Sequence, residues 1–219
     1  MKTEVTPKPT LAVLEKTQEV KVSPGELGAI LELVVRNRDG EVTQRQEMLS
    51  ESFVKQFLQL LWISCARVAT GYRIKEYWIK DVDGDLNPIQ VSSYSFQGSA
   101  GPNVDTYGIL VGTGTTTPTI DDYQMETKIS HGIGAGQLQY SAVTFGAPTS
   151  DGTVSHFTIT RDFSNASGSP ITVREVGLVV YFQRMGSGSG YYLTIRDAVN
   201  ITIPDGETLT VNYRLQATV

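Results

Sequence analysis

The sequence predicts a mainly β fold: a β-sandwich or jelly-roll-like domain with one covering α-helix at about residues 51–68. Three observations carry this expectation. Short extended runs recur along most of the chain. The clearest is 209–216, with Leu209, Val211, Tyr213 and Leu215 on one face and Thr210, Asn212, Arg214 and Gln216 on the other. Turn residues separate most of these runs, as they do in sandwiches and jelly rolls. One segment alone, following Ser50, spaces its apolar residues by three and four.

The elements follow in order. Residues 1–25 read as an extended N-terminal arm, and residues 26–219 as a single β-rich domain that includes the helix. Pro7 and Pro9 oppose helix, and the first ten residues hold too little apolar surface to fold alone. Residues 10–22 alternate loosely before Ser23-Pro24-Gly25 closes them. Two readings stand for this stretch: an edge strand, or an arm that docks on a neighbouring subunit through Leu11, Val13, Val20 and Val22.

Residues 29–36 form a strong strand, and 41–48 a polar extended run. Asp39-Gly40 between them signals a hairpin, because both residues tolerate positive φ. Ser50 is the expected N-cap of the helix, with Glu51 in its first turn where the dipole favours a carboxylate. Phe53, Val54, Phe57, Leu58, Leu61, Trp62 and Cys65 form its apolar face, and Gly71 lies past its end. That face either plugs the β-domain or packs on a partner chain.

Further strands are expected at 72–82, 89–96, 107–111, 137–145, 154–163, 171–183, 191–197, 199–203 and 209–216. Residues 176–182 are apolar at every position, which places them in a central strand covered on both faces. The Gly186-Ser-Gly-Ser-Gly190 run is expected to be a hairpin tip.

Composition narrows the function. The chain has 219 residues, so it can bury a core without metal or disulfide support. A net charge of −5, with 18 basic residues spread along the chain, argues against a nucleic-acid groove. The single cysteine, Cys65, excludes an internal disulfide framework. The N-terminus lacks the pattern of a secretory signal, and the most apolar window, 53–69, is interrupted by Lys55, Gln56, Gln59 and Arg67. A chain made in the cytoplasm and not inserted in a membrane is therefore expected.

The motifs are weak in chemistry. Gly112-Thr-Gly-Thr-Thr-Thr has no Lys-Ser/Thr and no helix behind it, and His131-Gly-Ile-Gly-Ala-Gly136 precedes a strand, so neither is a phosphate loop. Asp81, Asp83, Asp85 and Asn87 alternate as hard oxygen ligands, a weak calcium candidate. Gly84 stands at the wrong position for an EF-hand, and a turn on Asp83-Gly84 is the competing reading. His131 and His156 cannot form a zinc site with one cysteine alone. Asp121-Asp122 shows no sign of a raised pKa, and no Gly-x-Ser-x-Gly elbow occurs, so no enzyme and no cofactor are expected. Asn165-Ala-Ser167 matches a glycosylation sequon without a secretory context. Tyr191 and Tyr192, with Tyr94 and Tyr181, are the candidates for a glycan-stacking surface.

Several strings carry a resemblance. Residues 108–123 (GILVGTGTTTPTIDDY) are similar to a segment of structural proteins of tailed bacteriophages. So are 174–182 (REVGLVVYF), 193–198 (LTIRDA) and 199–213 (VNITIPDGETLTVNY), and 52–58 (SFVKQFL) resembles their N-terminal part. The resemblance spans most of residues 30–217 and is a pattern of strands and turns. It implies a virion protein bound to other virion proteins, with homo-oligomeric assembly and without nucleic acid or membrane. Accessory protein of the capsid shell or head–tail junction is the leading expectation. A tail-tip or fibre module binding host glycan is the alternative, and a glycan hydrolase a third that lacks a carboxylate pair.

Overall fold

The structure, a computed structural model, describes residues 20–50, 53–66, 78–89, 96–184 and 188–219. It is mainly β, with one helix. The strands are β1 (Leu27–Arg36), β2 (Val42–Ser50), β3 (Trp78–Lys80), β4 (Leu86–Pro88), β5 (Gly108–Gly112), β6 (Gln139–Tyr140), β7 (Thr144–Phe145), β8 (Thr149–Ser150), β9 (Val154–Ser164), β10 (Ile171–Gln183), β11 (Ser189–Ile203) and β12 (Thr208–Thr218), with α1 at Lys55–Ala66. The larger sheet runs β2-β1-β12-β9-β6, with β7 and β8 also on β9; the smaller runs β11-β10-β5. β3 and β4 form a separate two-stranded ribbon.

The two sheets face each other across one apolar core. Leu31, Leu33, Val35, Val211, Tyr213, Ile159 and Phe163 meet Ile109, Val111, Val176, Leu178 and Ile195. Polar pins cross the same layer. Tyr213 Oη donates to Asp197 Oδ2 at 2.8 Å, and Ser50 Oγ donates to the same oxygen at 2.8 Å. Burial, then the adjacent Asp197, pushes the Tyr213 phenol well above its usual range. At the side of the sandwich, Gln44 and Gln46 of β2 donate to the Thr202 and Asn200 carbonyls of β11.

The β1–β2 hairpin forms at Asp39-Gly40, with only Gly40 at positive φ. The loop is longer than a two-residue turn: Asn37 Oδ1 accepts from the amides of Asp39 and Glu41. β10 is central in its sheet, and positions 175–180 are buried without a break. β9, β10 and β12 lie at the positions expected for them.

Four expectations need correction. Ser50 is not an N-cap: it pairs with Ala29 at the end of the β1–β2 ladder, and the helix begins at Lys55, whose amide donates to Ile120 O. The runs 191–197 and 199–203 are one strand, because β11 stays paired with β10 through a register shift, with Ile201 opposite Val173 and Ala198 opposite Glu175. The run 137–145 splits into β6 and β7, since Ser141 turns its backbone to Asp162 and Val143 to Ala100. Residues 20–26 form no strand; a turn at Pro24-Gly25 feeds directly into β1. Most of the arm, including Leu11 and Val13, lies outside the described residues, as do Gly71, Tyr94 and the Cys65 side chain.

Candidate functional site

Two concave surfaces and two buried arginine networks organise the molecule. The first network explains the Gly-Thr-Gly motif. The Glu175 carboxylate, on the outward face of β10, accepts from the Gly114 amide (3.2 Å), the Glu126 amide (3.0 Å) and the Thr127 amide (2.7 Å). Arg196 Nε on the neighbouring strand donates to it at 2.9 Å. The same guanidinium reaches Asp122 Oδ2 at 2.7 Å and Thr116 Oγ1 at 2.9 Å. A Cβ on Gly112 would stand 2.5 Å from the Thr127 carbonyl, so the backbone can close on Glu175 only as glycine. The motif thus clasps a carboxylate of its own chain. Burial would raise the Asp122 pKa, but hydrogen bonds from Arg196 and Thr119 outweigh it and hold the carboxyl below its usual range. Asp121, its neighbour, pairs instead with Lys55.

The second network is Arg161. It sits on the inward face of β9 between Ile159 and Phe163, and is 1 % exposed. It meets no carboxylate among the described residues. It donates to five carbonyls instead: Ser141 and Ile109 at 2.9 Å, Tyr107 at 3.2 Å, Gly101 at 3.3 Å and Val104 at 2.5 Å. The Tyr140 ring lies 4.7 Å from its guanidinium carbon. Burial lowers its pKa to about 10, which leaves it a cation at neutral pH.

The first concave surface is a cleft of about 340 Å³ on the outer face of the smaller sheet. Leu110, Val179 and Tyr191 line it, and Asp83, Asp105, Thr106, Gln124 and Lys128 supply polar groups. Its size is at the small end of ligand pockets. Tyr191 stacks on Tyr107, with ring centroids 5.8 Å apart and planes within 18°, and meets Tyr181 edge-on. Asp105 accepts from the His131 amide at 2.8 Å and pairs with Lys128 at 3.3 Å. Of the two glycan candidates, Tyr191 reaches this cleft. Tyr192 points inward, fully buried, so its ring is closed to any ligand.

The second surface is an apolar mouth of about 440 Å³ at one end of the sandwich. There the inward faces of β1, β12 and β9 present Leu27, Leu215 and Phe157, and α1 covers them only in part through Phe57 and Leu61. Leu27 is 56 % exposed and Leu58, on the helix, 63 %. α1 packs on β11, and Val54, just before the helix, donates its amide to Thr194 O. The chain enters the described region beside this mouth. Gly25 N donates to Thr218 O, and Val22 is buried against Gly28, where a Cβ would stand 2.7 Å from Val22 Cγ2. Val22 is thus used within the chain, and Val20 is half-buried.

The calcium candidate resolves into a turn. Asp81 is buried; its Oδ1 accepts from the Asp83 and Asp85 amides, and its Oδ2 from Asn87 Nδ2 at 2.8 Å and from Arg184. Gly84 takes φ +88° in the turn between β3 and β4. Asp83 and Asp85 point to solvent. Among the described residues no three His, Cys, Asp or Glu side chains converge as metal ligands. His131 accepts from the Tyr140 amide through Nδ1, and His156 lies beside Thr149. Asn165 donates to the Ser169 and Ile203 carbonyls, which ties up the sequon nitrogen. Among the described residues no helix is long and apolar enough to cross a membrane.

Both networks were missed by sequence reading, and each had a signal in one of its residues. Arg161 occupies an inward position of the β9 alternation, and Glu175 lies next to a run apolar on both faces. A charge at such a position is buried and must be paired. Compared with known proteins, the chain matches no family model, no curated protein and no solved structure.

Proposed function

We propose that this chain is a structural component of a tailed-phage virion, an accessory protein on the capsid shell or at the head–tail junction. The observation that carries the reading is the apolar mouth at the end of the sandwich, open beside the root of the N-terminal arm. Apolar surface held open on a rigid domain is the kind that becomes buried when subunits meet. The strings similar to virion proteins support the same reading, and so do loops pinned from inside by Arg161 and Arg196. Residues 1–19 dock on a neighbouring subunit in this reading, by strand addition or through apolar contacts.

The test is cryo-electron microscopy of the particle carrying the protein, alongside a deletion of residues 1–19, which leaves Val22 packed on Gly28. The domain is expected on capsomers or at the neck, with the arm ordered against a neighbour and assembly impaired by the deletion. Absence of the chain from purified particles sinks the reading, and unchanged assembly of the deletion sinks the arm's role.

A second reading, a tail-tip or fibre module for host glycan, is favoured by the Tyr191 cleft, where an aromatic ring lies among carboxylate, amide and ammonium groups. It predicts a distal position in the particle and loss of glycan binding in Tyr191→Ala.

A further inference from the structure

β2 is the outer strand of the larger sheet, and among the described residues no strand pairs with its free side. It is exposed along most of its length. Unpaired strand edges are templates for another strand, and proteins usually guard them. One guard is present here. The β1–β2 register shifts between Val35 and Arg36, so Thr43 is an extra residue that ends the regular ladder on one side. Ser50, held by Asp197, ends it on the other.

Between these limits lies Gln44-Arg45-Gln46-Glu47-Met48. Gln44 and Gln46 point inward and are bonded to β11 carbonyls, which holds the strand in place before any partner arrives. Arg45 and Glu47 point outward. Within the chain their charges are poorly matched. Glu47 stands directly opposite Glu32 of β1, and Arg45 pairs with that same Glu32 at 2.5 Å. Like charges directly opposite each other destabilise a ladder. Glu47 makes no ion pair among the described residues and stands beside another carboxylate, although Arg45 and Arg214 line the same groove.

We propose that a second copy of this chain pairs antiparallel with β2 about a two-fold axis at Gln46. In that register Arg45 of each copy faces Glu47 of the other, and Gln44 faces Met48. Arg45 then bridges Glu32 of its own sheet and Glu47 across the axis. Opposed side chains in such a ladder are within ~5 Å at Cβ, close enough for both ion pairs. The charge pattern selects this arrangement over its neighbours. An axis at Arg45 or Glu47 sets like charges against each other, a one-residue offset between strands puts the two side chains on opposite faces, and parallel pairing matches Arg45 with Arg45. A closed two-fold contact also consumes the edge, so it makes dimers and not fibres. The proposal does not depend on the virion reading.

The test measures self-association of the full chain by sedimentation velocity across a concentration series, with hydrogen exchange of the 44–48 amides as the register readout. The wild type is expected to dimerise reversibly, less at high salt, with the alternate amides among 44–48 that face the free edge gaining protection in the dimer. Glu47→Arg replaces both attractions by repulsions and should weaken the dimer about thirtyfold. It also relieves the Glu32–Glu47 clash, so its monomer should be at least as stable as the wild type. The exchange R45E/E47R restores the complementarity and should restore the dimer. A wild type that stays monomeric, a Glu47→Arg dimer of unchanged affinity, or an exchange variant that stays monomeric each overturns the proposal.

Discussion

Replacing Arg161 by Met should destabilise the protein more than most single changes. The substitution keeps an unbranched stem in the core and removes five donors. Four of the five carbonyls it holds, those of Gly101, Val104, Tyr107 and Ser141, lie outside the paired strands. A buried acceptor left without a donor costs about 1–3 kcal/mol. At the lower bound the four together cost ~4 kcal/mol, partly offset because no guanidinium has to be desolvated. A net loss of about 3–4 kcal/mol follows. Urea unfolding followed by circular dichroism measures it. With a slope of ~2 kcal/mol per molar, the midpoint should fall by about 2 M. Arg161→Lys keeps the charge but offers three donors to five carbonyls, so it should lose at least half as much. Hydrogen exchange should show residues 101–107 opening first. An Arg161→Met protein within about 1 kcal/mol of the wild type would refute the strut, because it would mean the loop carbonyls find other donors.

The buried tyrosines predict alkaline unfolding. Burial raises the pKa of Tyr140 above its usual range and that of Tyr192 to about 12, and burial with Asp197 raises that of Tyr213. An acid whose folded pKa is raised lends stability below its unfolded pKa near 10 and loses it as pH climbs through the folded value. Between pH 10 and those folded values three such groups together cost about 4 kcal/mol per pH unit, comparable within two units to a whole domain's stability. Phenolate absorbance should therefore show 3 of the 10 tyrosines ionising only as the circular dichroism collapses; early ionisation of all ten would refute it. Gly112→Ala should lower stability by about 2–3 kcal/mol in thermal or urea melts, because its Cβ meets the Thr127 backbone and the Glu175 side chain together. A neutral Gly112→Ala would mean that the clasp is loose.

What the sequence made legible was whatever depends on two-residue alternation and local turn chemistry. β12 shows its inward Leu209, Val211 and Tyr213 and its outward polar partners directly. β10 shows burial on both faces, and the hairpin shows Asp39-Gly40. Misread boundaries arose where long-range contacts outweigh local preference. Ser50 has the chemistry of a cap, yet its hydroxyl is claimed by Asp197, 147 residues away in sequence. Val199-Asn200 looked like the start of a new strand, but β10 is long enough to keep β11 paired past it. The Tyr191-Tyr192 pair could not be divided until the strand's facing was known, and one residue of parity sends the first to a cleft and the second to the core.

The two arginines bear on function as well as on stability. Much of the chain between β4 and β9 is irregular, and segments of that kind are usually the first to open. Here they are tied from inside: Arg161 holds the backbone at 101–109 and 141, while Arg196 and Glu175 hold it at 114–127. A lid that closes over a substrate has to break and remake such contacts in each cycle, at several kcal/mol for each buried charge. Loops fastened in this way suit a surface that keeps one shape while others bind to it. Among the described residues, contacts open to a partner without breaking either network include the Leu27–Leu215 mouth and the outer edge of β2. Partner binding should therefore change hydrogen exchange there and leave 101–109 and 114–127 as protected as in the free chain. Deprotection of either loop on assembly would mean that the networks are switches, and the static reading of this domain would fall.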